Sequence, residues 1–179
     1  MKKLFILLVV ALSLSACDKD LLETSFTTDL SVTSDEIVVG DTPINTQKIF
    51  QVPYETEFTL DLSNPDTQEY LDRIKEIDLS EAKLNFLGLE SLSGNTASYE
   101  LYILFDNQYL IQIPNFNFDM VAQGDPIMIT DQETINNVAD ILLNRKKVQI
   151  KVYGYLPAND IYRFHIRFST KAKITAKVL

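Results

Sequence analysis

Residues 161–179 read IYRFHIRFSTKAKITAKVL. Even positions carry apolar residues or threonine, and odd positions carry mostly arginine, lysine, histidine or serine. Such alternation predicts a strand with one buried face. Because no Gly, Pro, Asn or Asp follows Asp160, we predict a single unbroken strand. At about 3.3 Å per residue it would extend about 60 Å, longer than a domain of this size is wide, so we expect a bend, at Ser169-Thr170.

The same period of two recurs along the rest of the chain. Alternating apolar residues occur in 26–32, 58–62, 82–86, 99–105 and 148–152, and shorter apolar pieces in 37–39, 48–52, 109–113 and 127–130. Turn-forming residues separate them, as in Gln123-Gly124-Asp125-Pro126. About nine or ten strands of this kind predict a mainly β fold, an immunoglobulin-like antiparallel β-sandwich, forming a single domain over residues 25–179.

Two segments show helical spacing instead. Asn64 is placed to cap a helix that has Pro65 at its first position. The apolar face of this helix would comprise Tyr70, Leu71, Ile74 and Ile77. Thr130 and Glu133 have the spacing of a capping box. The apolar face that follows would comprise Ile135, Val138, Ala139 and Leu142. We therefore predict two short amphipathic helices.

Charge is unevenly distributed along the chain. The 179 residues include 16 Lys or Arg and 25 Asp or Glu, for a net charge of −9. Residues 145–179 hold nine Lys or Arg and one acid (+8), residues 17–144 hold five and 24 (−19), and residues 1–16 hold two lysines. Because an acidic body repels phosphate backbones, we expect no nucleic-acid partner.

The basic last strand follows another strand that also carries basic residues. We predict that 147–156 and 161–179 form a hairpin with Gly154 opposite Phe164, which would set Lys151 against Arg167. Like charges in direct opposition destabilise a sheet. The predicted hairpin therefore needs compensating partners for its cations.

Two arrangements would supply that compensation. In one, Glu55, Glu57 and Asp61 pair with the basic face inside the domain, an arrangement that the acidic excess elsewhere favours. In the other, the face stays open and binds an anion such as a glycan carboxylate or a lipid headgroup. The candidate anion-binding residues are Arg163, Arg167, Lys151, His165 and Tyr153.

Patterns typical of catalysis or metal binding are scarce. One cysteine and one histidine exclude an internal disulfide and a zinc site built from several histidines. The sequence contains no G-x-S-x-G elbow, calcium loop or glycine-rich phosphate loop. We expect a non-catalytic protein with no cofactor and no metal. The alternative is a carboxylate-based hydrolase acting on glycans, which a pocket holding two acids about 5–10 Å apart would favour.

Aromatic residues cluster once near a turn. Phe116 and Phe118 follow Pro114 in the sequence Pro-Asn-Phe-Asn-Phe. If exposed, they are candidate residues for docking a partner, since exposed apolar patches mark interaction sites. The other interpretation is a strand end with one phenylalanine in the core.

The N-terminus has the pattern of an export signal. Residues 1–16 read MKKLFILLVVALSLSA, and their apolar run is shorter than the roughly 20 residues of a permanent membrane span. Leu14-Ser15-Ala16-Cys17 resembles the lipobox of bacterial lipoproteins, whose cysteine receives a lipid and becomes the new N-terminus. The resemblance implies a cleaved signal peptide over 1–16, a palmitate-bearing Cys17 and a tether over 17–24. The alternative is an ordinary secretory signal that happens to precede a cysteine.

Residues after Cys17 bear on the destination. Asp18-Lys19-Asp20 resembles the surface-export signals of lipoproteins from Bacteroides-type bacteria, whereas Asp18 alone resembles an inner-membrane retention signal. The layout as a whole resembles uncharacterised β-sandwich lipoproteins of Bacteroides-type bacteria. This resemblance implies a cell-envelope domain with a binding or structural role, anchored by its lipid in the outer membrane. The expected partners are that membrane and a glycan or protein of the envelope, and the oligomeric state stays open.

Overall fold

The computed structural model describes residues 22–40, 51–89, 98–157 and 161–178, without the side chains of residues 98, 99, 115, 116, 118, 119 and 157. The described part contains nine strands: β1 (Glu23–Thr33), β2 (Ile37–Val39), β3 (Gln51–Asp61), β4 (Ile74–Leu87), β5 (Ser98–Phe105), β6 (Tyr109–Asn117), β7 (Ile127–Met128), β8 (Lys147–Pro157) and β9 (Tyr162–Lys177). It also contains two α-helices, α1 (Phe118–Ala122) and α2 (Gln132–Arg145). Of the predicted strand over 48–52, residues 48–50 lie outside the described ranges.

The strands form two antiparallel sheets that face each other. Sheet 1 has the order β1-β9-β4-β7, with β2 pairing with β9 beyond the end of β1. Sheet 2 has the order β3-β8-β5-β6. The core between them is apolar, and α2 packs against β4, β8 and β6 through its buried face. The predicted mainly β, antiparallel sandwich is confirmed.

The connectivity is that of a jelly roll. The chain forms four nested antiparallel pairs, β1 with β9, β3 with β8, β4 with β7 and β5 with β6. After β2, only the β5–β6 connection stays within one sheet, and the others cross between sheets. Two four-stranded sheets wound in this way define a jelly roll. An immunoglobulin-like sandwich instead orders its strands ABED and CFG.

The last strand is unbroken, as predicted. β9 has 16 residues and alternates between buried even positions and more exposed odd positions, so it extends about 53 Å. The predicted bend at Ser169-Thr170 stays a prediction, and the irregularity in pairing at this level lies in the neighbouring strand. There, the β4–β9 register shifts between Ser80 and Lys83, whereas the β1–β9 register runs through Thr170 without a shift.

The predicted hairpin of residues 147–156 with 161–179 is wrong. β8 pairs with β3 and β5 in sheet 2, and β9 pairs with β1, β2 and β4 in sheet 1. Both strands bury their even-numbered residues, but they do so from opposite sides of the same core. Lys151 therefore lies opposite Glu57, and Arg167 lies opposite Thr33 and Asn85.

The first predicted helix is also wrong, although its cap is present. Asn64 Oδ1 accepts hydrogen bonds from the backbone N–H groups of Asp66 and Thr67, but only turns and a short 3₁₀ segment (Leu71–Arg73) follow. The three-residue apolar spacing from Ile74 to Ile77 arises from a β-bulge at the start of β4. An extra residue in a strand shifts its alternation by one, which imitates helical spacing.

The second predicted helix forms with the expected buried face of Ile135, Val138, Ala139 and Leu142. Its cap is one residue later than the predicted Thr130–Glu133 box. Asp131 is the N-cap, and its carboxylate accepts hydrogen bonds from the backbone N–H (3.1 Å) and hydroxyl (3.1 Å) of Thr134. Aspartate is among the preferred N-cap residues, and Thr130 is exposed.

The described part of the chain is hydrogen-bonded into sheet 1 from its first residue. The carbonyl of Leu22 accepts a hydrogen bond from the N–H of Val178 (2.7 Å), and β1 begins at Glu23 opposite Lys177. β1 thus includes Glu23 and Thr24, which the prediction assigned to the tether, and the domain boundary itself stays a prediction. No helix in the described ranges is long and apolar enough to cross a membrane.

Candidate functional site

The five residues predicted to bind an anion do not form one site. Arg163, His165 and Arg167 project from the outer face of sheet 1, and Lys151 and Tyr153 project from the outer face of sheet 2. The core separates the two groups, because β8 and β9 belong to different sheets. Whether either group binds an anion by itself stays a prediction.

The arginines on sheet 1 have different surroundings. Arg163 Nη1 lies 3.4 Å from Glu36 Oε2, in an ion pair whose two side chains are more than half exposed. Arg167 Nε donates a hydrogen bond to Thr33 Oγ1 (3.1 Å), and Arg167 has no carboxylate partner among the described residues. An exposed ion pair of this kind contributes at most about 1 kcal/mol.

His165 lies beside an interruption in the edge of sheet 1. Its Nδ1 is 3.1 Å from the carbonyl oxygen of Ser34, in the segment between β1 and β2. The N–H of Ser34 donates to the carbonyl of Ile166 (2.8 Å), and the Ser34 hydroxyl accepts from the N–H of Ile166 (2.9 Å). This contact of His165 connects strands rather than activating a nucleophile.

Lys151 is paired inside the domain, as the first of the two charge arrangements predicts. Its Nζ lies 2.7 Å from Glu55 Oε1, and Glu57 is its cross-strand neighbour on β3. The hydrogen bond to Glu55, with the nearby charges, raises the pKa of Lys151 against the smaller opposing effect of desolvation. Lys147 lies opposite Asp61 in the same register.

A pair of tyrosines lies next to Lys151 on the outer face of sheet 2. The rings of Tyr102 and Tyr153 stack with centroids 5.0 Å apart and planes 8° apart, and the two residues are cross-strand neighbours. Tyr102 donates a hydrogen bond to Glu100 Oε2 (2.5 Å), which is the main cause of its raised pKa. Each ring therefore presents one face to the other ring rather than to a ligand.

Sheet 1 contains an open depression of about 320 Å³. Its lining residues are Asp29, Leu30, Ser31, Glu81, Lys83, Ser169, Thr170 and Lys171. It lies at the second bulge of β4, where Glu81 has a positive φ of 53°. Bulges of this kind occur preferentially at sheet edges and beside functional sites.

Two acids share this depression, but a cation lies between them. Lys171 Nζ is 2.8 Å from Glu81 Oε1, and Lys171 is the cross-strand neighbour of Asp29. The hydrogen bond to Glu81 is the largest contribution to the raised pKa of Lys171, and Asp29 adds to it. Glycosidases place a sugar between their two acids, whereas here the ammonium group of Lys171 is in that region.

The remaining predicted residues are only partly placed. Phe116 lies in β6 opposite Tyr99, and Phe118 begins α1, but their side chains lie outside the described part of the chain. Their role in docking a partner stays a prediction. Within the described ranges, no group of three or more His, Cys, Asp or Glu could hold a metal ion.

One feature that the sequence did not indicate lies at the end of the sandwich where the described part of the chain begins. Leu22 is 62% exposed and Val178 is 41% exposed, and their backbones are hydrogen-bonded to each other. The alternation in 161–179 could have indicated the pairing, because a long last strand needs a partner of similar length. Strand β1, together with Leu22, is that partner along its C-terminal half.

No protein-family model and no curated protein matches the chain. Among solved structures, the chain is similar to the decameric BFDV capsid protein, with a TM-score of 0.43 and 9% sequence identity over 84% of this chain and 99% of that chain. The jelly-roll assignment above rests on the strand order and is independent of this similarity.

Proposed function

We propose that the protein is a lipid-anchored, non-catalytic domain of the cell envelope with a binding or structural role. In this proposal, residues 1–16 are removed and Cys17 carries the lipid. The observation that supports it is the short distance along the chain from Cys17 to Leu22, the first described residue, which is hydrogen-bonded to the last strand region. A lipidated cysteine there would serve as a membrane attachment point directly at the base of the domain.

The chemistry of the cysteine also supports an anchor. Cys17 is the only cysteine in the chain, so it has no partner for an internal disulfide. Stable anchoring needs more than one acyl chain, and a lipidated N-terminal cysteine of the lipoprotein type carries two or three. Asp18-Lys19-Asp20 favours the outer membrane as the destination, by its resemblance to the export signals of Bacteroides-type lipoproteins.

The test replaces the cysteine and follows the membrane fraction. Cys17→Ala should move the protein from the membrane fraction to the soluble fraction and abolish incorporation of a labelled palmitate. Ser13→Ala, which lies just outside Leu14-Ser15-Ala16-Cys17, is the matched control and should retain both properties. Unchanged partitioning and labelling of Cys17→Ala would refute the anchor.

A glycan hydrolase is the second candidate, because the depression on sheet 1 contains Asp29 and Glu81. Lys171 argues against this candidate, because it is ion-paired with Glu81 and lies opposite Asp29. Incubation of the purified chain with envelope polysaccharides tests this candidate by release of reducing ends. Release that Glu81→Gln abolishes, while the exposed-surface variant Glu57→Gln retains it, would establish hydrolysis and overturn the non-catalytic proposal.

A further inference from the structure

The end of the sandwich that carries Leu22 and Val178 has the properties of a membrane-facing surface. We infer that this end rests against the phospholipid headgroups of the membrane that holds the Cys17 lipid, with β9 directed away from the membrane. The inference rests on the proposed anchor. It adds an orientation and names the partner surface.

The length of chain between the lipid and the fold is the first argument. From Cys17 to Leu22 there are five Cα–Cα steps, which reach at most about 16–18 Å when fully extended. A headgroup layer is roughly 5–8 Å thick on each side of a bilayer. The tether therefore holds the Leu22 end no more than about 8–13 Å beyond the headgroup layer, which leaves no room for a long stalk.

The surface at this end is the second argument. Leu22 and Val178 are exposed apolar neighbours joined by a backbone hydrogen bond, and Glu23 beside them is ion-paired with Lys75. Small apolar contacts next to a covalent lipid add to membrane affinity. The turn between β3 and β4 leads into Ile74, which lies opposite Ala176, and it brings the exposed acid Asp72 to this end. We therefore expect the domain to contact zwitterionic rather than anionic headgroups. We expect Leu22 and Val178 alone to make this contact.

The outer face of sheet 1 argues against a domain lying flat on the membrane. Two lysines of its basic row on β9 have carboxylates as direct neighbours, since Lys171 lies opposite Asp29 and Lys173 lies opposite Asp78. Removal of the two signal lysines changes the net charge from −9 to −11. A face with paired charges on an acidic body has little attraction for anionic headgroups.

Orientation can be measured with single tryptophans, because the chain has none. Val178→Trp and Val38→Trp are a matched pair, since both valines are 41% exposed. Val38 lies opposite Arg163 near the other end of β9, about 46 Å along the strand from Lys177. The full-length lipidated variants are reconstituted into phosphatidylcholine vesicles in which some lipids carry a nitroxide on the headgroup.

The expected result is quenching of the Val178→Trp emission about twofold or more, with little change for Val38→Trp, because only the first lies near the headgroup layer. Equal quenching of both would show that the domain lies flat, and quenching of neither would show that it stands off. Either result overturns the inference.

Flotation with the vesicles separates this failure from failure of the anchor. If the lipidated chain floats and quenching is equal or absent, the orientation alone is wrong. If the chain expressed with Cys17 does not float, both the anchor and the orientation are refuted. A Cys17→Ala background should abolish flotation and quenching together.

Discussion

Gly154 of β8 lies directly opposite Tyr54 of β3, and a β-carbon built on Gly154 would be 3.0 Å from the Tyr54 hydroxyl oxygen and 2.9 Å from the carbonyl oxygen of Glu100. The missing side chain makes room for a buried tyrosine ring. That ring packs edge-on against Phe86 (6.2 Å between centroids) and Phe164 (5.5 Å), which joins the two sheets near one end of the core.

Gly154→Ala should therefore destabilise the domain by about 1–3 kcal/mol, the usual cost of adding a carbon to a packed core. Chemical denaturation measures the change. In a Tyr54→Phe background the cost should fall but not vanish, because the contact with Glu100 is backbone and persists. A Gly154→Ala domain as stable as the parent would contradict this packing.

Tyr54→Phe alone should leave the free energy of unfolding unchanged or raise it by about 1 kcal/mol. The Tyr54 hydroxyl is buried and has no hydrogen-bond partner among the described residues, so the substitution removes an unsatisfied polar group. A loss of more than about 1 kcal/mol in Tyr54→Phe would show that the hydroxyl is satisfied.

Stability should fall as the pH rises above about 10, the ordinary pKa of tyrosine. Burial raises the pKa of Tyr54, so the folded state retains a proton that the unfolded state releases in alkali. The contribution is fully present below pH 10 and declines above it by up to about 1.4 kcal/mol per pH unit. Other tyrosines and lysines also lose protons in this pH range. The contribution of Tyr54 is therefore the difference between the parent and Tyr54→Phe in the slope of unfolding free energy against pH, measured by denaturant unfolding.

Ser34→Ala should destabilise the domain by about 1–3 kcal/mol, because the buried N–H of Ile166 would lose the hydroxyl that accepts its hydrogen bond. Ser31→Ala is the matched control. Ser31 is exposed on β1, three residues before Ser34, and its loss should change stability by no more than about 0.5 kcal/mol. Thermal and denaturant unfolding measure the stability of both variants. Equal stability of Ser34→Ala and Ser31→Ala would contradict the role of Ser34.

Asp131→Ala should cost about 1 kcal/mol, because the N-cap of α2 would be lost. Thr130→Ala should change stability by less than about 0.5 kcal/mol, since the Thr130 side chain is exposed and does not cap the helix. Denaturant unfolding measures both changes. A larger loss of stability in Thr130→Ala than in Asp131→Ala would show that Thr130 caps the helix, as the sequence spacing predicted.

How far the sequence predicts this fold can be judged from β4 and β9. In β9, one parity holds from Tyr162 to Lys177, so its buried face could be read directly from the alternation. In β4, bulges near Lys75 and Glu81 shift the parity twice, and the first shift imitates a helix at Ile74 and Ile77. A bulge is created by pairing with a neighbour, so the spacing of one strand cannot distinguish it from a helical turn.

The candidate site shows the same division. Lys151 and Arg167 both alternate with apolar residues, which places each on a polar face but does not say which one. The register with β3 places Lys151 opposite Glu57 and within ion-pair distance of Glu55, and the register with β1 gives Arg167 the partner Thr33. The distribution of charge along the sequence suggested acidic partners for the basic residues of β8. It could not show that the basic residues of β8 and those of β9 lie on opposite faces of the sandwich.

The sequence by itself determined which side of most strands is buried, the uneven distribution of charge and the position of Cys17 just before the fold. Only the tertiary structure decided which strands are neighbours, and thereby that β8 and β9 lie in different sheets, that Gly154 accommodates Tyr54, and that Leu22 meets Val178 at one end of the sandwich. The physical reason is that alternation specifies a buried face, while every strand offers the same backbone donors and acceptors along its edges. The choice of neighbour is made by packing of the whole core.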